Sequence, residues 1–313
     1  MLKEVAYAAQ YLFGFDKAQN NLTVFGDDTF IVSYPKSGNT WTRFLIGNLV
    51  YEDGVDFSNI NRRVPDPQVL SKRFLKSLPR PRVLKTHHPF DPRYPRVICI
   101  VRDPRDVALS KYHFDIKTRI VEEDCPIDRY VSHFVSGEAS PEFGSWGENV
   151  GSWIAAKQNS RKFRAGNFLL VRYEDMIADP DAELTRIAHF LNIECSQERI
   201  RRAVERSSAD QMRKLEQSQS HLWSSTRNTD QSKPFVRAAK SGNWITEMPA
   251  SCVREIESCW GMLMKELGYE LASEKSMAED HALGVENVDR RGHDRVEAVN
   301  HAMARETEHS PAS

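Results

Sequence analysis

An α/β fold built on a parallel sheet is what this sequence predicts, from three observations. Short apolar, β-prone runs stand at residues 30–32, 96–101 and 167–172. The first two pass directly into a turn and then a helical pattern. Further helical stretches separate the later elements, which argues for a doubly wound or related α/β sheet with its ligands at the carboxyl ends of the strands.

The first run, Phe30, Ile31 and Val32, leads into Pro35, Lys36, Ser37, Gly38 and Asn39. The helix expected next carries Trp41, Phe44, Leu45 and Leu49 on one face. Strand, small-residue turn and helix in this order make an anion site, because free N–H groups and the dipole at the helix start favour negative charge. Gly38 lets the backbone approach an anion closely. Lys36 adds a mobile charge, and Ser37 and Thr40 add hydroxyl donors. The spacing is not that of GxxxxGK[ST], since Lys36 precedes Ser37 and Gly38. Taken alone, a tight strand-to-helix turn with no ligand explains this stretch as well.

Residues 51–82 are polar and interrupted by Pro65, Pro67, Pro79 and Pro81. They read as a connecting loop with short helical pieces, and as solvated surface in preference to a rim over a binding pocket. Residues 82–86 form a short strand that runs into His87, His88 and Pro89. The apolar run at 96–101 reads as a buried parallel strand. After it, Asp103 is suited to cap a helix, with Pro104 at the first helical position and Asp106 in the first turn. For Arg105 and Asp106, helix-start electrostatics is the preferred role.

Residues 116–147 read as irregular, with aromatics at Tyr130, Phe134, Phe143 and Trp146. Helices are expected over 150–163, 180–191, 197–206 and 253–267, the last stopped by Gly268. Residues 1–15 read as an amphipathic first helix and not as a secretory signal. The main domain is expected to run from 1 to 271, followed by a mobile polar tail over 272–313. The four widely spaced histidines of that tail fit no metal template.

The 313 residues are 40% hydrophobic and 28% charged, which suits a globular protein with a large core. A net charge of -1 argues against a broadly basic nucleic-acid surface, so no nucleic-acid partner is expected. No apolar run is long enough for a membrane span. Five cysteines, an odd number without a CxxC, argue against a disulfide framework or a zinc site and for a cytoplasmic setting.

The run PKSGNTW at residues 35–41 resembles the 5′-phosphosulfate loop of the cytosolic sulfotransferase family, usually PKSGTTW. Asn39 stands where Thr is usual and keeps an amide hydrogen-bond donor there. Residues 85–89, KTHHP, resemble the family's KTHxP segment. Residues 101–110 resemble its 3′-phosphate segment, commonly VRNPKDVxxS, and continue through Lys111-Tyr112-His113-Phe114. Residues 235–244, FVRAAKSGNW, resemble FxRKGxxGDW, with Ala238 and Ala239 in place of Lys and Gly. The resemblance covers roughly residues 30–269 in the family's order.

This resemblance implies a P-loop-like parallel sheet flanked by helices on both faces. It implies transfer of a sulfuryl group from 3′-phosphoadenosine 5′-phosphosulfate (PAPS) to a hydroxyl or amine of a small-molecule acceptor, with 3′,5′-adenosine bisphosphate (PAP) as product and no metal. Lys36, Ser37, Gly38, Asn39 and Thr40 would cradle the phosphosulfate. His87 would be the base, with His88 as competitor, and Lys85 would hold sulfuryl oxygens. Arg102, Ser110, Arg237 and the Ala239 backbone would hold the 3′-phosphate. Trp41, Tyr173 and Ser207 would contact adenine, with Ala209 where an aromatic is common.

Two other classes account for less of the chain. A P-loop small-molecule kinase lacks here both the lysine position and an evident carboxylate pair for Mg²⁺. A non-catalytic PAPS- or PAP-binding module would find its support in Ala209, Ala238 and Ala239. The acceptor and the oligomeric state stay open at this point.

Overall fold

The computed structural model describes Ala18 and residues 21–274. The helix expected over residues 1–15 and the tail beyond Glu274 lie outside the described residues. The chain divides into two compact units, Met1–Leu263 and Met264–Ser313, and the sheet lies in the first.

Four parallel strands make one sheet in the order β2-β1-β3-β4. They are β1 (Thr29–Ser33), β2 (Val83–Thr86), β3 (Arg96–Val101) and β4 (Phe168–Arg172). Ile31 stands opposite Lys85 on one side and Ile98 on the other. β1 is buried along its whole length and β3 from Val97 onward, as expected for strands covered on both faces.

On one face Ile31, Ile98, Ile100 and Val171 pack with α1 (Asn39–Val50) and with apolar residues of two later helices, Pro180–Phe190 and Gln197–Arg206. By alternation Phe30 points to the other face. There it stacks on Tyr94, centroids 3.7 Å apart, and Tyr94 stacks in turn on Trp153. α1 is buried nearly all round, from Asn39 through Leu49 except at Thr40 and Trp41, so the single apolar face expected for it is too narrow a description.

Three other expectations are corrected. The helix expected over 150–163 starts earlier and runs Trp146–Asn159, because Ser145 and Glu148 form a reciprocal capping box. Residues 116–147 are not all irregular: Ile127–Ser136 is a helix that buries Tyr130, Val131 and Phe134. Residues 51–82 do contain the expected short helices, Ile60–Arg63 and Lys72–Ser77, but are not merely solvated surface. Asp66 and Arg82 are buried, and Arg82 pairs with Asp28 at 2.5 Å. The helix after β3, Pro104–Lys117, begins as expected, with the Asp103 side chain accepting from the Arg105 N–H. The last long helix, Ala250–Glu266, is followed by Gly268 at φ 80°. There Tyr269 N–H donates to Met264 and Gly268 N–H to Lys265, a Schellman closure.

Candidate active site

The carboxyl end of each strand hands a functional side chain to the same side of the sheet. The turn at 34–38 follows β1, His87 follows β2, Arg102 follows β3 and Tyr173 follows β4. Lys36, His87, Arg102 and Tyr173 line one cavity of about 890 Å³. Gly38, Asn39, Thr40, Trp41, Lys85, Ser110, Arg237 and Ala239 lie on its wall too.

One half of this cavity is made of backbone turns. Gly38 has φ 98°, and a Cβ there would meet Tyr173 Cδ2 at 2.6 Å, so both conformation and space demand glycine. Lys36 is also left-handed, φ 69°. Its Nζ lies 4.2 Å from the Phe114 ring centroid and 4.3 Å from that of Phe235. Burial, with Arg102 nearby, pushes its pKa down to about 7. Arg102 lies across the Tyr173 ring, 4.4 Å from its centroid. Its Nη1 donates to the Lys36 carbonyl and its Nη2 to the Lys240 carbonyl, each at 3.2 Å. One guanidinium thus joins the first turn to the segment 235–244.

Asp106 holds that segment from the other side, accepting from Gly242 N–H at 2.6 Å and Trp244 N–H at 3.1 Å. Arg105 pairs with Asp103 and Glu257 and lies 3.6 Å from the Trp244 ring centroid. Helix-start electrostatics is therefore too small a role for either residue: both anchor residues 242–244. Ala239 sits at φ 52°, so the left-handed turn persists although its residue is not glycine. Arg237 pairs with Glu247 at 2.8 Å.

Three expected contacts differ. Ser37 is fully buried, is not on the cavity wall, and its Oγ has no hydrogen-bond partner among the described residues. Asn39 spends its amide N–H on Ser33 Oγ at 3.1 Å and on the Ile31 carbonyl at 3.4 Å, so that donor serves β1 and not the loop. Ser207 is also buried off the wall. Its hydroxyl donates to the Ala203 carbonyl and accepts from Asn48 Nδ2. Only its carbonyl reaches the site's framework, accepting from Trp41 Nε1 at 3.0 Å. Ser208, Ala209 and Met212 line the cavity instead.

The other half is made of side chains. His87 Nδ1 lies 2.8 Å from the Ser33 carbonyl. A carbonyl only accepts, so Nδ1 carries the proton and Nε2 keeps its lone pair. Burial, then Lys85, holds the His87 pKa well below the ordinary histidine range. His88 is not on the wall; its carbonyl accepts from Trp153 Nε1. Lys85 pairs with Asp66 at 2.9 Å, both buried, and burial lowers the lysine's pKa. Lys111 pairs with Asp115 at 2.7 Å, and Asp115 also accepts from the Tyr130 hydroxyl at 2.6 Å. Asp66, Gln68, Lys111, Asp115 and Phe143 are wall residues that the motifs do not reveal. For Lys111 and Asp115 the i, i+4 spacing of opposite charges was a usable signal.

The donor half fits an anionic nucleotide. Arg102 Nε is buried without a partner among the described residues, a donor aimed at no protein acceptor. Beside it, the turn at Gly38 is closed to any side chain. Cations at helix starts on the carboxyl edge of a parallel sheet, facing a neutral imidazole, define an enzyme that transfers a group from such a nucleotide.

The sequence model of the sulfotransferase domain matches residues 26–268, and the chain belongs to the sulfotransferase family. It is 28% identical to rat sulfotransferase 1 family member D1 over 266 residues, covering 79% of this chain and 87% of that one. It is 28% identical to mouse sulfotransferase 2B1 over 239 residues, 72% of this chain and 68% of that one. Among solved structures it is similar to mouse sulfotransferase SULT7A1 complexed with PAP (TM-score 0.62, 22% identity, 85% of this chain and 92% of that one). It is also similar to retinol dehydratase in a complex with retinol and PAP (TM-score 0.62, 20% identity, 81% and 85%). PAPS-dependent sulfuryl transfer, with PAP as the spent nucleotide, is accordingly its activity. No described helix is long and apolar enough to cross a membrane.

Proposed function

We propose that His87 is the base of this transfer, and that the acceptor is a small molecule presenting a hydroxyl or an amine. The observation that carries this is the fixed tautomer of His87. Its Nδ1 is tied to the Ser33 carbonyl at 2.8 Å, on a wall it shares with Lys36 and Lys85. A neutral imidazole with a free Nε2 can accept a proton at neutral pH.

PAPS supplies the sulfuryl group when bound. Lys36, Gly38 and Thr40 would hold its phosphosulfate end. Arg102, Ser110, Arg237 and the Ala239 N–H would hold the 3′-phosphate, and Trp41 and Tyr173 would flank the adenine. His87 Nε2 takes the acceptor's proton as the acceptor's oxygen or nitrogen bonds to sulfur and the bond to the nucleotide breaks. Lys36 and Lys85 offset the charge that grows on the oxygens around sulfur. The retinol and androsterone bound by similar solved structures support a small-molecule acceptor. Five free thiols support a reducing, cytoplasmic setting.

The test is sulfate transfer from labelled PAPS to a panel of phenols, alcohols and amines. His87→Ala lowers turnover by about 10²–10⁴-fold, the usual contribution of a general base. It keeps the thermal stabilisation given by PAP. Transfer at near wild-type rate by that variant removes His87 from the mechanism. Stabilisation by ATP with Mg²⁺ far above that by PAP would favour a kinase.

A further inference from the structure

Next to His87 one buried carboxylate serves two buried cations. Asp66 is in contact with Lys85 at 2.9 Å and acts on Arg43 only at longer range. Arg43 is 1% exposed, yet it lies on the cavity wall. Its Nε donates to the Val64 carbonyl at 3.0 Å. Its Nη2 donates to Val64 at 2.6 Å, to the Ile60 carbonyl at 3.3 Å and to Asn61 Oδ1 at 2.9 Å. These acceptors fix the guanidinium but are all neutral. Among the described residues Nη1 makes no hydrogen bond, and no carboxylate is in ion-pair contact with the group.

Isolating a cation in this way is costly, because a charge taken out of water needs a partner of opposite sign nearby. Burial accordingly pushes the Arg43 pKa down to about 10. The other acidic wall residues do not supply that partner. Asp115 is engaged by Lys111 and Tyr130. Glu142 has a side chain 60% exposed and accepts from Gln68 Nε2.

We infer that Arg43 is a specificity residue for the acceptor, and that the preferred acceptor carries an anionic group, such as a carboxylate, besides the hydroxyl or amine that is sulfated. The inference rests on the sulfotransferase reading above and deepens it. Lys85 and Arg43 share the cavity wall with His87, and both charges act on it. An acceptor anion at Arg43 therefore docks in the half of the cavity where the nucleophile must sit. A wholly apolar acceptor would leave this cation only Asp66, at longer range and already paired with Lys85.

Matched pairs test it. Hydroxyphenyl carboxylates with zero to three methylene spacers are compared with their methyl esters, for binding to the PAP-loaded protein and for kcat/KM with PAPS. At least one carboxylate is expected to bind about ten-fold or more tightly than its ester, the effect of one charged hydrogen bond. Arg43→Gln is expected to abolish that ratio through KM, and Arg43→Lys to restore part of it. Esters that bind as well as or better than carboxylates at every spacer length overturn the inference, as does failure of every carboxylate to bind. So does a preference that survives in Arg43→Gln, or a fall in kcat shared equally by both members of a pair. The wild-type comparison decides even if the variants do not fold. PAP binding and transfer to 2-naphthol test the sulfotransferase reading separately.

Discussion

The two halves of the cavity are built by different means. The donor half is mostly backbone: two left-handed residues, Lys36 and Gly38, in a strand-to-helix turn that Arg102 joins to the segment 235–244 through the carbonyls of Lys36 and Lys240. The acceptor half is side chain: Lys85 on Asp66, Lys111 on Asp115, and His87 hung from Ser33. Backbone geometry of that kind can be specified by a few adjacent residues. The Lys85 and Asp66 pair cannot, because its partners come from different parts of the chain. The donor half is thus the part a short motif can encode, and the acceptor half is where one member of a family can diverge from another.

The largest effect should come from breaking a pair in the acceptor half. Asp66→Asn removes the contact of Lys85 and the carboxylate that acts on Arg43 from longer range. Breaking a buried pair by removing one partner costs about 3–5 kcal/mol. A matching fall in the urea midpoint at unchanged slope is the expected result. A change under about 1 kcal/mol, the scale of an exposed pair, would mean that water reaches both groups and would erase the contrast between the halves.

The donor half should respond to pH instead. Lys36 has a pKa near 7 and would face phosphate oxygens. Only its ammonium form attracts them, so PAP binding is expected to be strongest below pH 7. It should weaken above that value by up to ten-fold per pH unit. Proton uptake on binding at pH 8, read by calorimetry in two buffers of different ionisation enthalpy, checks the sign. Affinity independent of pH between 6 and 9 would place the Lys36 charge away from the nucleotide.

The same contrast explains what could be read in the sequence. β1, β3 and β4 were legible as short unbroken apolar runs, and β2 as a short strand whose Val83 and Leu84 lead into Lys85 and Thr86. The Asp103 cap and Pro104 start were legible because capping is local. That a histidine would reach the cavity just after β2 was also legible; which of His87 and His88 faces it depended on the β2 exit. The helix Ile127–Ser136 was missed because its N-cap is Pro126, which offers no capping side chain. Ser145 and Glu148 stand three apart and did announce the start at Trp146, but the apolar pattern drew the expected boundary later. Ser207 and Asn39 had the right polarity for ligand contact. Nothing local says that their donors are spent on Ala203 and on β1. Asp66 and Arg43 were invisible for the same reason that the acceptor half is variable: their meaning lies in the distance between elements.

The smallest expected effect sharpens the comparison most, because it asks whether the donor half is set by backbone alone. Ala239 holds φ 52° at a position where the resembling segment has glycine. An L-residue in that conformation costs about 1–2 kcal/mol. Glycine removes the cost but adds unfolded-state freedom of about 0.4–1 kcal/mol. The difference predicts that Ala239→Gly stabilises the protein by roughly 0.5–1 kcal/mol. Thermal unfolding without nucleotide measures it. PAP affinity should stay nearly constant, since the contact proposed there is an N–H that both residues carry. A loss of stability in Ala239→Gly would mean that the alanine methyl packs against the fold strongly enough to outweigh its strain. The turn would then be held by side-chain contact, as the acceptor half is, and not by the Arg102 and Asp106 bonds to its backbone.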